Sequence, residues 1–264
     1  MTPFDTIATG YDHSFTYSAV GLAQRNQVYD YLESVLSGKK NLKILELNCG
    51  TGEDALWLAR KGHSVMATDI SPEMISLTRH KSLVNGMGKK IQCKQLSLEQ
   101  VAEGAVHTRF DWVFSNFGGL NCIGPDKLDA LTEEIATLLN PGGRFIAVIM
   151  PKNCLWESAY FMGKLQFRNA FRRRSKFPVP VKLETEIVQT WYHSPMEVIR
   201  MLQPLFEVQG LIPIGMAVPP SYLDPFFRKK PHLLRKLIAL DRVLTQRPGL
   251  SPFADHYLID AQLV

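Results

Sequence analysis

The stretch Ile44-Leu45-Glu46-Leu47-Asn48-Cys49-Gly50-Thr51-Gly52-Glu53-Asp54 constrains the fold more than any other part of this 264-residue chain. An apolar run ends in a turn with two glycines, and a helical pattern begins at once. Without Cβ atoms at Gly50 and Gly52 the backbone can turn sharply and approach a ligand closely, at the carboxyl edge of the strand where open α/β sheets bind ligands. Nineteen residues after Gly50, Asp69 ends a second apolar run, Val65-Met66-Ala67-Thr68. A carboxylate there can accept hydrogen bonds from two ribose hydroxyls.

The surrounding sequence supports that placement. Strands are expected at Leu42–Leu47, Ser64–Thr68, Ile91–Gln95 and Phe110–Phe114, with a fifth at Arg144–Met150 after the Asn140-Pro141-Gly142-Gly143 turn. Helices fit between them at Glu53–Lys61, at Pro72–Asn85 with Ser71 as N-cap, and at Pro125–Leu139. Alternation of this kind produces right-handed strand–helix–strand units and a parallel sheet. Beyond Met150 the rhythm loosens. The spacing predicts a helix over 153–173, a strand over 179–191 with alternating Val181, Leu183, Thr185 and Ile187, and a helix from Ser194-Pro195 to Leu202. A strand at Phe206–Val218, a basic helical stretch over 221–247 and a last strand at Asp255–Val264 complete the chain.

With 45% hydrophobic and 21% charged residues the chain can bury a sizeable core, which excludes a disordered or fibrous protein. One domain with a cap is expected. The alternating core spans 39–150, preceded by residues 1–38 and followed by 151–264 with a cap inserted at about 152–192 and 219–250. No apolar run reaches the ~18 residues of a membrane span and no signal peptide is evident, so a cytoplasmic protein is expected. Cys49, Cys93, Cys122 and Cys154 form no C-x-x-C pair and have no histidine at metal-ligand spacing, so neither disulfides nor a metal site is expected.

The glycine turn and Asp69 suit a nicotinamide dinucleotide as well as a nucleoside-type ligand. A dinucleotide fingerprint would place its third glycine at Ala55, a slot that tolerates alanine. Glu46 separates the two readings. An acid at the end of the strand does nothing for a pyrophosphate, but it suits a ligand with a positive amino group.

Glu46-x-Asn48-x-Gly50-x-Gly52 resembles the acidic-x-Gly-x-Gly-x-Gly motif of class I S-adenosylmethionine-dependent methyltransferases. Asn48 stands in the first glycine position, which requires it to take a positive φ. The likeness covers about residues 4–150, and Asp255–Val264 fits the family's antiparallel final hairpin. It implies a Rossmann-like, doubly wound, mostly parallel seven-stranded sheet with an antiparallel last strand and a helical cap. It also implies S-adenosyl-L-methionine as cofactor. Asp69 would then hold the ribose and Ile70 would pack on the adenine, with Met74 nearby. Ser97 and Leu98 would edge the adenine, Ser97 standing where the family commonly has an aspartate. Asn116, in Ser115-Asn116-Phe117-Gly118-Gly119-Leu120, lies in the loop that faces the sulfonium in these enzymes. Phe4-Asp5-x-x-Ala8-x-x-Tyr11-Asp12 resembles the segment that folds over the cofactor in small-molecule members, and Tyr11 and Tyr17 would touch its methionine end.

The acceptor is narrowed by elimination. Ser115-Asn116-Phe117-Gly118 lacks the Pro-Pro-aromatic sequence of amino-methylating DNA enzymes, Cys122 does not follow proline as a cytosine-C5 nucleophile would, and Phe114–Asn121 contains no acidic cluster for a metal. A hydrophobic or amphiphilic small molecule remains, with O-methylation ahead of C- or N-methylation. Candidate bases are His193 and His256, although each also fits a partly buried histidine satisfying a backbone group. The net charge of +5 is uneven, because residues 1–150 carry 14 basic and 16 acidic side chains while 151–264 carry 16 and 9. Basic residues interleave with the aromatic stripe Trp156, Tyr160, Phe167 and Phe171, and again with apolar residues over 226–247. These segments fit solvated helix faces packed on the sheet. They equally fit a lid that attracts an acidic or amphiphilic acceptor or contacts an anionic membrane. Binding or modification of RNA by the basic helices is the less favoured alternative, and the oligomeric state is left open.

Overall fold

The computed structural model describes residues 2–183 and 186–264. Seven strands form one sheet: β1 Lys43–Leu47, β2 Ser64–Asp69, β3 Ile91–Gln95, β4 Phe110–Ser115, β5 Leu139–Ile149, β8 Phe206–Ile214 and β9 His256–Leu263, in the order β3-β2-β1-β4-β5-β9-β8. Neighbours pair in parallel from β3 to β5, and β9 runs antiparallel between β5 and β8. The expected doubly wound sheet with its antiparallel last strand is present.

The strands β1 and β4 occupy the centre and are apolar on both faces, as strands covered by helices on both sides must be. Alternation along β1 sends Leu45 and Leu47 to one face, where they meet Leu128, Leu131 and Ile135 of α6 (Pro125–Leu138) and Val198 and Leu202 of α9 (Pro195–Leu202). Ile44 goes to the other face, against Val28 and Leu32 of α2 (Ala19–Leu36) and Leu56 and Ala59 of α3 (Glu53–Arg60). Glu46 has the parity of Ile44, so the same alternation buries its carboxylate on the α2/α3 side.

The amino-terminal helix α1 (Pro3–Tyr11) packs on α4 (Pro72–Val84). The Ser71 hydroxyl caps α4 by accepting from the Met74 amide, and donates to Asp5. Asp12 accepts from Thr51 in the glycine turn and pairs with Lys81. These contacts fasten α1 over the carboxyl edges of β1 and β2.

Four expectations change in the structure. The helix expected over 153–173 is α7 (Leu155–Gly163), a break, α8 (Phe167–Ala170) and a 3-10 turn at Arg172–Arg174. Leu165 takes φ +57° in the break, and the chain doubles back so that Ser158 donates to the Ala170 carbonyl. The strand expected over 179–191 is a separate hairpin, β6 (Val179–Leu183) against β7 (Glu186–Thr190), with Val179 opposite Thr190. Thr185 lies outside the described residues. The Asn140–Gly143 turn is drawn into β5 as an irregularity opposite Phe110 and Trp112. The basic stretch is divided into a 3-10 turn at Ser221–Leu223, α10 (Asp224–Phe227) and α11 (Pro231–Leu244), with Pro231 opening the last helix. Between β3 and β4 lies one short helix, α5 (Leu98–Ala102).

Candidate functional site

The glycine turn adopts the strained conformations expected of it. Asn48, Gly50 and Gly52 have φ of +55°, +53° and +82°. The requirement on Asn48 is therefore met. Close packing adds a second constraint at Gly52, where a Cβ would lie 2.5 Å from Thr78 Cγ2. Asp69 is buried at the end of β2 and accepts from the Gly50 amide through Oδ2 (2.9 Å) and from the Ser71 amide through Oδ1 (2.9 Å). Burial raises its pKa, and these two amides oppose the rise.

Beside the turn lies a buried ionic cluster. Asp54, in the first turn of α3, pairs with Arg25 of α2 (2.5 Å) and accepts from the Tyr29 hydroxyl (2.7 Å) and the Asn116 amide (3.1 Å). Glu46 is 1% exposed and its Oε2 has no hydrogen-bond partner among the described residues; the buried Asn48 Nδ2 likewise has none. Burial raises the Glu46 pKa well above the carboxylate range, with the charges of Asp54 and Asp69 adding to the rise and Arg25 opposing it. Glu46 and Asp54 thus share Arg25 as a buried cation, and Asp69 adds its charge from the end of β2.

Tyr11 reaches this cluster from α1. Burial pushes its hydroxyl up to about 12, and Arg25, Asp69, Cys122 and Asp54 are the charges that act on it. On the far side Phe117 takes φ +40°, followed by Gly118 at +74°. Its ring lies 5.2 Å from the Arg25 guanidinium and 5.4 Å from the His256 imidazole. His256 Nδ1 stands 3.3 Å from Asp255 Oδ2. Although burial works against it, the contacts of Asp255 with His256 and Arg173 hold its carboxyl well below the usual range.

The structure gathers Tyr11, Glu46, Asn48, Gly50, Gly52, Asp69 and Asn116 at one edge of the sheet, with His256 reached through Phe117. Other expected residues stand apart from that group. Tyr17 is half exposed and donates to Glu53 (2.7 Å). Met74 is buried and Leu98 belongs to the α6-side core. The Ser97 hydroxyl is engaged as the cap of α5, accepting from the Gln100 amide. Ile70 is 41% exposed at the end of β2, as a residue that packs on a flat ring would be. His193 is 2% exposed, its Nε2 3.1 Å from the Ile123 carbonyl while its own carbonyl accepts from Tyr257. That is the geometry of a histidine satisfying a backbone group, and burial lowers its pKa. No group of residues that could hold a metal ion is present among the described residues.

Sequence reasoning missed Arg25, Tyr29, Asp54 and Phe117. Asp54 had a readable signal, an acid two residues after Gly52 in the first turn of a helix. Phe117 stood in the loop expected to face the sulfonium, whereas Arg25 and Tyr29 had no signal, because only the packing of α2 brings them here.

Residues 44–143 match the family described as a methyltransferase domain. The ubiquinone biosynthesis O-methyltransferase of Alkalilimnicola ehrlichii is 29% identical over 129 residues, 47% of this chain and 48% of that protein. The tRNA 5-carboxymethoxyuridine methyltransferase of Escherichia coli is 26% identical over 101 residues, 38% of this chain and 39% of that protein. These matches thus span about half or less of the relatives' own length. Among solved structures, magnesium protoporphyrin IX methyltransferase from Synechocystis PCC 6803 with bound SAH superposes with a TM-score of 0.59 at 15% identity, over 91% of this chain and 84% of that one. Fold, glycine turn and family match agree: residues 44–143 match a methyltransferase domain, and the fold is that of a methyltransferase solved with bound SAH, which implies S-adenosylmethionine as cofactor. The residues present fit that cofactor. An unpartnered Glu46 oxygen with Asp54 and Asp69 nearby suits its ammonium, a cation that would favour the charged form that burial disfavours, and the positive-φ turn lets its backbone approach closely.

Proposed function

We propose that the protein methylates a hydrophobic or amphiphilic small molecule, with a hydroxyl oxygen as the first choice of acceptor and carbon or nitrogen after it. The observation that carries the reading is the buried acidic turn formed by Glu46, Asn48, Gly50 and Asp69 beneath α1. When bound, S-adenosylmethionine supplies an electrophilic methyl group, and the protein's part is alignment and exclusion of water. Asp69 would hold the ribose, Glu46 the amino group, and Arg25 the carboxylate. Phe117 would wall the acceptor side. His256, whose Nδ1 lies 3.3 Å from Asp255 Oδ2, would take a proton from a hydroxyl acceptor. Similarity to an enzyme named for ubiquinone biosynthesis supports an apolar acceptor with a hydroxyl.

Calorimetry with S-adenosylmethionine tests the cofactor site. Asp69→Asn should weaken binding roughly 10- to 150-fold, the loss expected when hydrogen bonds to a charged acceptor are removed. Absence of binding to the unaltered protein would overturn the reading. A second reading, methylation of RNA, is favoured by the basic surplus of residues 151–264 and by similarity to the tRNA enzyme. It requires an RNA affinity that falls steeply with salt.

A further inference from the structure

The charges on α10 and α11 are sorted by sign. Seven lysines and arginines and two aspartates lie within residues 221–247. Both aspartates are buried and used by the backbone: Asp224 accepts from the Val20 amide, and Asp241 accepts from the Ala217 and Val218 amides. The charge left outside is therefore positive. Arg228 pairs with Asp224, whereas Lys229, Lys236, Arg242 and Arg247 form no ion pair among the described residues.

The apolar side chains are sorted as well. Leu234, Leu237 and Ile238 turn inward onto Val20 and Ala23 of α2. Leu233, Leu240 and Val243, spaced by seven and three, fall on one strip of α11 and are 40%, 49% and 62% exposed, with Lys236 among them. Ring contacts of Trp156 with Phe227 and of Tyr160 with Tyr222 join this helix layer to α7. After α7, Leu165, Phe167 and Phe177 are 78%, 59% and 77% exposed. Within 164–177 every charged residue is basic, and the one that is deeply buried, Arg173, pairs with Glu157 and Asp255.

We propose that α11, together with the 164–177 segment that follows α7, forms a docking surface for an anionic phospholipid bilayer. Cations attract the headgroups while aliphatic and aromatic side chains enter the acyl boundary, a combination in which both halves of the surface are used. RNA would engage the cations and the rings of Phe167 and Phe177, but leave Leu233, Leu240, Val243 and Leu165 unused, because these offer neither a stacking plane nor a hydrogen bond. α11 packs on Val20 and Ala23, on the face of α2 opposite Arg25 and Tyr29, so docking through this helix leaves those cofactor-side residues untouched and stands apart from the identity of the acceptor.

Flotation of the full chain with vesicles of phosphatidylcholine alone, or of phosphatidylcholine mixed with phosphatidylglycerol, tests this. The protein should float with the anionic vesicles and stay behind with the neutral ones. Lys236→Gln with Arg242→Gln should lower vesicle affinity roughly 25-fold, about fivefold for each charge. Leu240→Ser with Val243→Ser should also weaken it, and both pairs should keep the melting curve and the S-adenosylmethionine affinity of the unaltered chain. No flotation with anionic vesicles overturns the proposal. So does tight binding of a purified tRNA together with vesicle binding that the Leu240/Val243 pair leaves unchanged, which would mark the surface as a site for polyanions.

Discussion

Replacing Arg173 by methionine probes the buried ion-pair network of the cap. Its guanidinium donates to Glu157 (3.0 Å), to the Asp255 carboxylate (2.8 Å) and to the Asp255 carbonyl (2.9 Å). The three side chains are only 7%, 2% and 5% exposed. Methionine fills much of the volume, so the cost is electrostatic. Glu157 retains Arg172 at 2.7 Å and Asp255 retains Gln24 at 3.1 Å, but one buried carbonyl and half of each carboxylate lose their donor. Removing one partner of such a network costs about 3–5 kcal/mol. For a chain of this size that lowers the melting temperature by roughly 6–10 °C. Urea unfolding and thermal melts would measure the loss, with Arg174→Met as control. Arg174 is exposed and bonded to Asn153, so its replacement should stay within about 0.5 kcal/mol. The folded-state pKa of Asp255 is depressed, so its contribution is complete above the unfolded value of about 3.9 and is lost as pH falls through the folded one. The gap between R173M and the unaltered chain should therefore be full at neutral pH and narrow in acid. A loss under about 1 kcal/mol at neutral pH would refute the argument that this arginine is structural.

Glu46→Gln should raise stability without cofactor while weakening S-adenosylmethionine. The folded pKa of Glu46 is raised, so its stabilising effect is present below about 4.3 and is lost as pH rises through the folded value; urea midpoints should show Gln gaining on Glu as pH rises. Gly52→Ala combines a φ of +82° with a 2.5 Å approach to Thr78 and should cost about 1–3 kcal/mol, read in a thermal melt. His256→Gln should slow methylation of a hydroxyl acceptor roughly 100- to 10,000-fold and leave cofactor affinity, measured by calorimetry, unchanged.

Much of the fold was legible in residues that act locally. From Lys43 to Leu138 every expected strand and helix falls within a residue or two of its place, because short apolar runs, the Ser71 cap and Pro72 are local signals, while α5 and the 3-10 turn at Gly119–Cys122 were not expected. Asn48 is the sharpest instance, since its position in the motif alone demanded a positive φ. After Met150 the signals lose their distinctness. The aromatic spacing over 153–173 fits a continuous helix, and nothing in it records that the chain must break at Lys164–Gln166 to bring Arg172 and Arg173 onto Glu157. A period of two over 179–191 fits one strand as well as a hairpin.

The sequence by itself determined the glycine turn, the acid at its entrance and the acid that follows the second strand, because backbone sterics and strand parity act over a few residues. Tertiary structure decided which charges are free and which are held. Arg25 and Arg173 look like other surface cations in the sequence, yet each is buried against carboxylates supplied by distant segments, whereas Lys236 and Arg242 face outward because both nearby aspartates serve backbone amides. Charge in a sequence is a property of residue type. Its availability depends on desolvation and pairing between elements far apart along the chain, which exist only once the helices have packed on the sheet.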